Sequence, residues 1–191
     1  NAFKLKYNQL AGDMNNAASY WPSDCVDEAG PPVSDCNGNG DGYIGLNGET
    51  VRFWQHLALS NILSGSFNGI YTSATVFHDA SNSAVSKLNN GIISLNYNEA
   101  NGNIFFADGR PIVNLFTFGA TTTVYSTGSI LDAASAHSID AKIDDGVAHT
   151  GSVIAYNEYD GSSGGCQIVD DAGVDYDLSN DGIGCAMAFD F

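Results

Sequence analysis

The amino-acid sequence predicts an α+β domain whose sheet is antiparallel. Helical and strand-like segments are segregated along the chain rather than alternating as βαβ units, and a strong hairpin signal, Asp108-Gly109, sits between two strand-like runs. Four cysteines fall into two local pairs, Cys25 with Cys36 and Cys166 with Cys185. A chain of 191 residues with 43% hydrophobic residues supplies the core of one domain spanning 1–191. Such a length buries roughly 70% of its unfolded surface.

Taken in order, 1–10 (NAFKLKYNQL) places Phe3, Tyr7 and Leu10 at helical spacing before Gly12 and Asp13 stop the pattern. Residues 13–48 are rich in Asn, Asp, Gly and Pro and read as a long stapled loop. A helix is predicted over 49–63, with Val51, Trp54, Ala58 and Ile62 on one face. Ile93, Leu95 and Tyr97 alternate as a strand, and 103–107 and 111–118 form a hairpin about Asp108-Gly109. A second helix is expected from a Ser129 cap through Lys142, with Ile130, Ala134, Ile139 and Ile143 on its stripe and Gly146 as its stop. Strands return at 152–158, 166–169 and 183–191.

Charge narrows the function classes. Six Lys+Arg stand against 22 Asp+Glu, a formal net charge of -16, which repels phosphate backbones and makes nucleic acid a poor partner. Surplus acid either favours cations or keeps an exported domain soluble. Neither cysteine pair has the C-x-x-C spacing of zinc or redox sites, so disulfides are the simpler reading, and they place the chain outside a reducing cytosol. Four cysteines allow three connectivities. The two local bridges are preferred because each closes a Gly- and Asp-rich loop with little else to order it. No apolar run approaches the ~20 residues of a membrane-spanning helix.

Residues 37–44 (NGNGDGYI) resemble the first two thirds of a calcium loop, with oxygen side chains at alternate positions. The ligands would be Asn37, Asn39 and Asp41, the Tyr43 carbonyl, and Glu49 displaced by one residue from its expected place. A plain Asn/Gly turn without calcium is the alternative. The aspartates from Asp170 to Asp181 read as a solvated loop. Asp144 and Asp145 end a predicted helix, where negative charge opposes the macrodipole, so Lys142, a backbone donor or an ion must compensate them. Gly161-Ser162-Ser163-Gly164-Gly165 matches the letters of a G-x-S-x-G nucleophile elbow, but a strand follows it instead of a helix, so a hairpin loop is expected. His56, His78, His137 and His149 lack metal-ligand spacing and read as structural or surface residues. No catalytic residues are assigned.

Taken together, 3–14 (FKLKYNQLAGDM), 36–44 (CNGNGDGYI), 49–59 (ETVRFWQHLAL), 139–153 (IDAKIDDGVAHTGSV) and the cysteine-bounded end with Tyr176-Asp177-Leu178-Ser179 resemble the type IV pilin-like proteins, including pseudopilins of type II secretion. The resemblance departs at Ala11 and Ala148, where relatives often carry proline. It implies a pilin-like head on the tail (1–10) of a long helix whose apolar half precedes Asn1 and anchors the precursor in the inner membrane. It further implies that the partners are other pilin or pseudopilin subunits in an extracellular, cell-surface or periplasmic filament. A calcium-ordered binding or adhesion module is the other expectation.

Overall fold

A computed structural model describes residues 2–24, 36–45, 48–71, 77–97, 114–122, 126–157, 165–170 and 173–191. Its architecture is mixed helix and antiparallel sheet, as the segregation of periodicities predicts. Strands β1 (Ala84–Val85), β2 (Ile92–Tyr97), β3 (Asn114–Gly119), β4 (Leu131–Asp132), β5 (Val153–Asn157) and β8 (Ile183–Asp190) form one six-stranded sheet. Its main path runs β1-β2-β3-β8, with β5 and β4 also pairing β8. A two-stranded sheet joins β6 (Gln167–Asp170) to β7 (Gly173–Tyr176).

The pairings β2–β3 and β3–β8 place Leu95 opposite Phe116, Phe116 opposite Phe189 and Phe118 opposite Met187. Alternation along each strand therefore turns Ile93, Leu95, Phe116, Phe118, Met187 and Phe189 to one face. Two helices cover that face: α3 (Glu49–Leu59) packs on β2, and α4 (Ala133–Ile143) on β8 and β5. The core is accordingly in two parts. Beneath α3 lie Phe53, Trp54 and Leu95 with Phe3, Met14 and Ile44; beneath α4 lie Phe118, Ala136, Val153, Ala155 and Met187.

Helix α1 (Ala2–Tyr7) is shorter than the 1–10 expected, because Asn8 adopts a left-handed φ of 54° and ends it before Gly12. A four-residue helix, α2 (Ala17–Tyr20), interrupts the long loop. Helix α3 stops at Leu59 rather than 63: the amides of Ile62 and Leu63 both donate to the Leu57 carbonyl, and Asn61 has φ 59°. Ile62, expected on its buried stripe, is therefore outside the helix and 40% exposed. Residues Glu49 through His56 are all buried, since α3 is covered by the sheet and by the N-terminal segment as well.

Helix α4 begins at Ala133, four residues after the predicted Ser129 cap, because Leu131 and Asp132 are drawn into β4 against Cys185 and Ile183. Its cap is Asp132, whose Oδ1 accepts the Ser135 amide at 2.7 Å while Oδ2 accepts the Ser135 hydroxyl at 2.9 Å. These two bonds hold the Asp132 carboxyl below the usual carboxylate range. The buried stripe is Ala133, Ala136 and Asp140; Ala134 and Ile143, predicted to face the core, are exposed. The acidic stretch expected to be a loop contributes β7, which pairs with β6 from Gln167↔Tyr176 to Asp170↔Gly173.

Cys166 and Cys185 form a disulfide with sequence separation 19. A closed loop of that size removes about 3 kcal/mol of unfolded-state entropy. Cys36 is also disulfide-bonded and fully buried. Cys25, the Asp108-Gly109 turn and Ser163 lie outside the described residues. Among the described residues no helix is long and apolar enough to cross a membrane.

Replacing the α4 cap, Asp132→Ala, leaves the Ser135 amide without its acceptor. The expected loss is about 1 kcal/mol of unfolding free energy, measured by urea denaturation at pH 7. An unchanged midpoint would show that the cap contributes nothing to α4.

Candidate functional site

The segment expected to bind calcium folds around two carboxylates that reach it from outside. Asp13 Oδ1 accepts the amides of Gly40 (2.6 Å) and Asp41 (3.0 Å), and its Oδ2 accepts the Gly42 amide at 2.9 Å. Glu49, the first residue of α3, receives the Asn39 amide on Oε1 and the Gly45 amide on Oε2, each at 2.8 Å. A run of backbone N–H groups curled about an anion is the arrangement by which loops bind phosphates and carboxylates elsewhere. Here the anions belong to the chain itself.

Of the predicted ligands, Asn39 and Asp41 come together: Asn39 Nδ2 donates to Asp41 Oδ2 at 2.9 Å. Asn39 Oδ1 accepts the Asp41 amide, and Asp41 Oδ1 accepts the Tyr43 amide, each at 2.8 Å. Asn37 turns elsewhere, and its Oδ1 accepts the Ala18 amide at 3.0 Å. Glu49 joins the loop through backbone amides, and Tyr43 is partly exposed at its tip. Ile44 is fully buried and pins the end of the loop to the core beneath α3.

Asp13 escaped the sequence reading, which treated it as part of a helix stop. It stands 27 residues from Gly40, and no spacing rule links the two. Burial raises the proton affinity of both Asp13 and Glu49 more than their amide bonds lower it, and the Asp41 charge adds to the rise in each. Gly38 shows how tight the clasp is. Its amide donates to the Met14 carbonyl, and a Cβ there would lie 2.4 Å from the Asp13 α-carbon.

His56 ties the same three segments together. Its Nδ1 accepts the Gly12 amide at 2.9 Å, so Nε2 carries the ring proton and donates to the Cys36 carbonyl at 2.8 Å. Both nitrogens are thus used by the neutral ring, and burial pushes its pKa down to about 4. His78 is a second buried histidine, with a pKa lowered by burial to about 4. It contacts Ser83 Oγ at 2.8 Å and Thr50 Oγ1 at 3.2 Å. Ser83 directs its hydroxyl at Asn82 Oδ1 and is 1% exposed, so the pair is a buried structural network rather than a nucleophile facing a substrate.

The Asp144-Asp145 turn is compensated by backbone donors. Asp144 Oδ2 accepts the Ser152 and Val153 amides, and Asp145 Oδ1 accepts the Val147 amide at 2.9 Å. Asp145 Oδ2 also accepts the Thr150 hydroxyl at 2.6 Å. Asp140 lies beside them, fully buried, and accepts the Tyr176 hydroxyl at 2.9 Å, which locks α4 to β7. Ligand atoms of Asp140, Asp144 and Asp145 lie within 4.8 Å of one another.

A depressed histidine pKa contributes stability that is present above pH 6.5 and is lost as pH falls through about 4. Asp13, Glu49 and Asp140, with raised values, act in the opposite sense, so the histidine effect is isolated by comparison. The stability advantage of the wild type over His56→Gln should shrink by about 3 kcal/mol between pH 7 and pH 4, as read by denaturant melts across the range. A constant difference would mean that His56 is not held neutral.

No protein-family model matches the chain, and neither a curated protein nor a solved structure matches it. The functional reading therefore rests on the chemistry and geometry of its own residues.

Proposed function

We propose that the chain is the head of a type IV pilin-like filament subunit, a major or minor pilin or a pseudopilin of type II secretion. The observation that carries this reading is the way α1 is held. Phe3 is 5% exposed and stacks on His56 at 6.1 Å, while Tyr7 packs against Trp21 at 5.4 Å and Tyr20 at 5.2 Å. An isolated six-residue helix has almost no stability of its own. The aromatic cluster supplies it and fixes the helix direction relative to α3, the coupling that a head requires when it hangs from a helix packed elsewhere.

In this reading an apolar helix upstream of 1–10 anchors the precursor in the inner membrane and later provides the main association energy of the filament. The net charge of -16 keeps isolated heads apart. The disulfides fit the oxidising periplasm or cell surface. Produced in its native host with the native upstream segment, the protein is expected in sheared filament fractions and under immunogold label. The isolated chain should sediment as a monomer. Absence from every filament, or ordered polymerisation of the head alone, would overturn the reading.

A calcium-ordered binding or adhesion module is the second reading. It is favoured by the crowding of Asp13, Asp41 and Glu49, whose buried or neighbouring charges a cation would relieve. On that reading millimolar calcium raises the melting temperature and Asp41→Ala removes the rise. Identical melting in calcium and in chelator would leave the loop ordered by its amide bonds alone.

A further inference from the structure

Charge is divided unevenly along the chain. Two of the six Lys+Arg residues, Lys4 and Lys6, stand in 1–10, which holds no Asp or Glu, so the other four share the rest of the chain with all 22 acids. The aromatic seat of α1 buries Phe3 and turns the opposite side of the helix outward. Lys4 and Lys6 are exposed there, and Leu5 between them is 88% exposed. Lys6 reaches the Ser60 carbonyl at 3.4 Å and lies over the Tyr7 ring. The Lys4 ammonium has neither an ion pair nor a hydrogen bond among the described residues.

The turn that joins β7 to β8 has the converse make-up. Leu178 is 56% exposed, Ile183 at the start of β8 is 59% exposed, and Asp177 and Asp181 stand beside them. The turn is ordered by its own bonds. Asp177 Oδ1 accepts the Ser179 hydroxyl at 2.6 Å, Asn180 Oδ1 accepts the Gly182 amide at 2.7 Å, and the Asp177 amide donates to the carbonyl of the disulfide-bonded Cys166 at 2.9 Å. A surface fixed in this way gives up little entropy on docking. The Asp181 carboxylate, like the Lys4 ammonium, has no ion pair or hydrogen bond among the described residues. Phe3 belongs to the core beneath α3, whereas Tyr176 and Cys185, which flank the turn, belong to that beneath α4, so the two patches lie on different halves of the molecule.

We propose that the outward face of α1 docks on the 177–183 turn of a second copy of this chain, with Leu5 against Leu178 and Ile183 and with Lys4 facing Asp181. Opposite charges around an apolar contact set its register and suppress like-charged arrangements more than they add affinity. Because the two patches differ, a docked pair still offers one of each, and the contact propagates into a ring or a helical array instead of stopping at a dimer. It is far smaller than a stable interface of roughly 1,200–2,000 Å². Isolated heads therefore remain monomers, and the contact acts at the millimolar effective concentration that tethering imposes. The inference rests on the filament reading for that tethering.

The experiment mixes Leu5→Cys chains with Leu178→Cys chains at about 1 mM, the concentration of tethered neighbours, and joins them with a short bismaleimide that leaves the native disulfides intact. Val85→Cys, 43% exposed on β1, replaces Leu178→Cys as the control partner. Cross-linking of Leu5→Cys to Leu178→Cys should exceed that to the control about threefold in about 20 mM salt, and the excess should shrink in about 500 mM salt. Lys4→Glu in the first chain should remove the excess, and Asp181→Lys in the second should then restore it. Both side chains are exposed and make no bonds that folding needs. Equal yields with the control partner, or an excess that Lys4→Glu leaves intact, would overturn the proposal. Filaments that assemble unchanged with Lys4→Glu count against this contact alone, whereas the cross-link in a chain absent from every filament upholds the contact and counts against the filament reading.

Discussion

The fold depends on β8, the last strand of the chain. It pairs with β3 through Met187, Ala188, Phe189 and Asp190, with β5 from Cys185 to Phe189, and with β4 through Ile183 and Cys185. A strand paired this heavily must be free of bulk where neighbours press on it, and Ala186 and Ala188 are both fully buried. The same strand carries Cys185, which ties β8 to Cys166 at the start of β6, and it supports α4. Elements distant in sequence are organised only when this C-terminal segment arrives, so the sheet is built from non-local pairings whose closure entropy precedes their reward.

At the other end of the molecule, polar groups do the joining. Asp13, Glu49 and His56 are each under 5% exposed, and their side-chain acceptors or donors are met by backbone groups of 12–14, 36–45 or both. Buried polar groups destabilise a core when left unpaired and specify one arrangement when fully paired. Here the arrangement they specify is the seat of α1. Gly12 donates to His56, and Phe3 stacks on the same ring. The direction of the N-terminal helix is thereby coupled to α3 and, through Phe53 and Phe116, to the sheet. This coupling links the clasp to the proposed role of the head in a filament.

The helices approach the sheet differently. Ala133 and Ala136 let α4 sit close on β8 and β5, whereas α3 rests on Trp54 and Phe53 above Leu95 and Phe116. A small-residue contact on one side and an aromatic one on the other leave Phe189 only partly buried between them. A groove of about 440 Å³ between the two helices, lined by Trp54, Phe116, Ile139 and Phe189, follows from that mismatch of side-chain size.

Period and punctuation in the sequence determined the antiparallel α+β class, the helix over the Glu49 segment and the strands about Ile93, Phe116, Val153 and Phe189, and favoured the local pairing of Cys166 with Cys185 that the structure shows. These follow from neighbours a few residues apart, where 2.0 and 3.6 periodicities and loop-closure entropy act directly. Tertiary structure alone decided the rest. Leu131-Asp132 became a strand because Cys185 and Ile183 offer it a ladder, which moved the α4 cap from Ser129 to Asp132. Gly173–Tyr176 became β7 despite its acidic surroundings because β6 lies alongside. The loop at 37–44 was legible as a turn of converging oxygens, but Asp13, the carboxylate it wraps, was not. Backbone amides carry no sequence signature, so an anion held by them is invisible until the chain has folded around it.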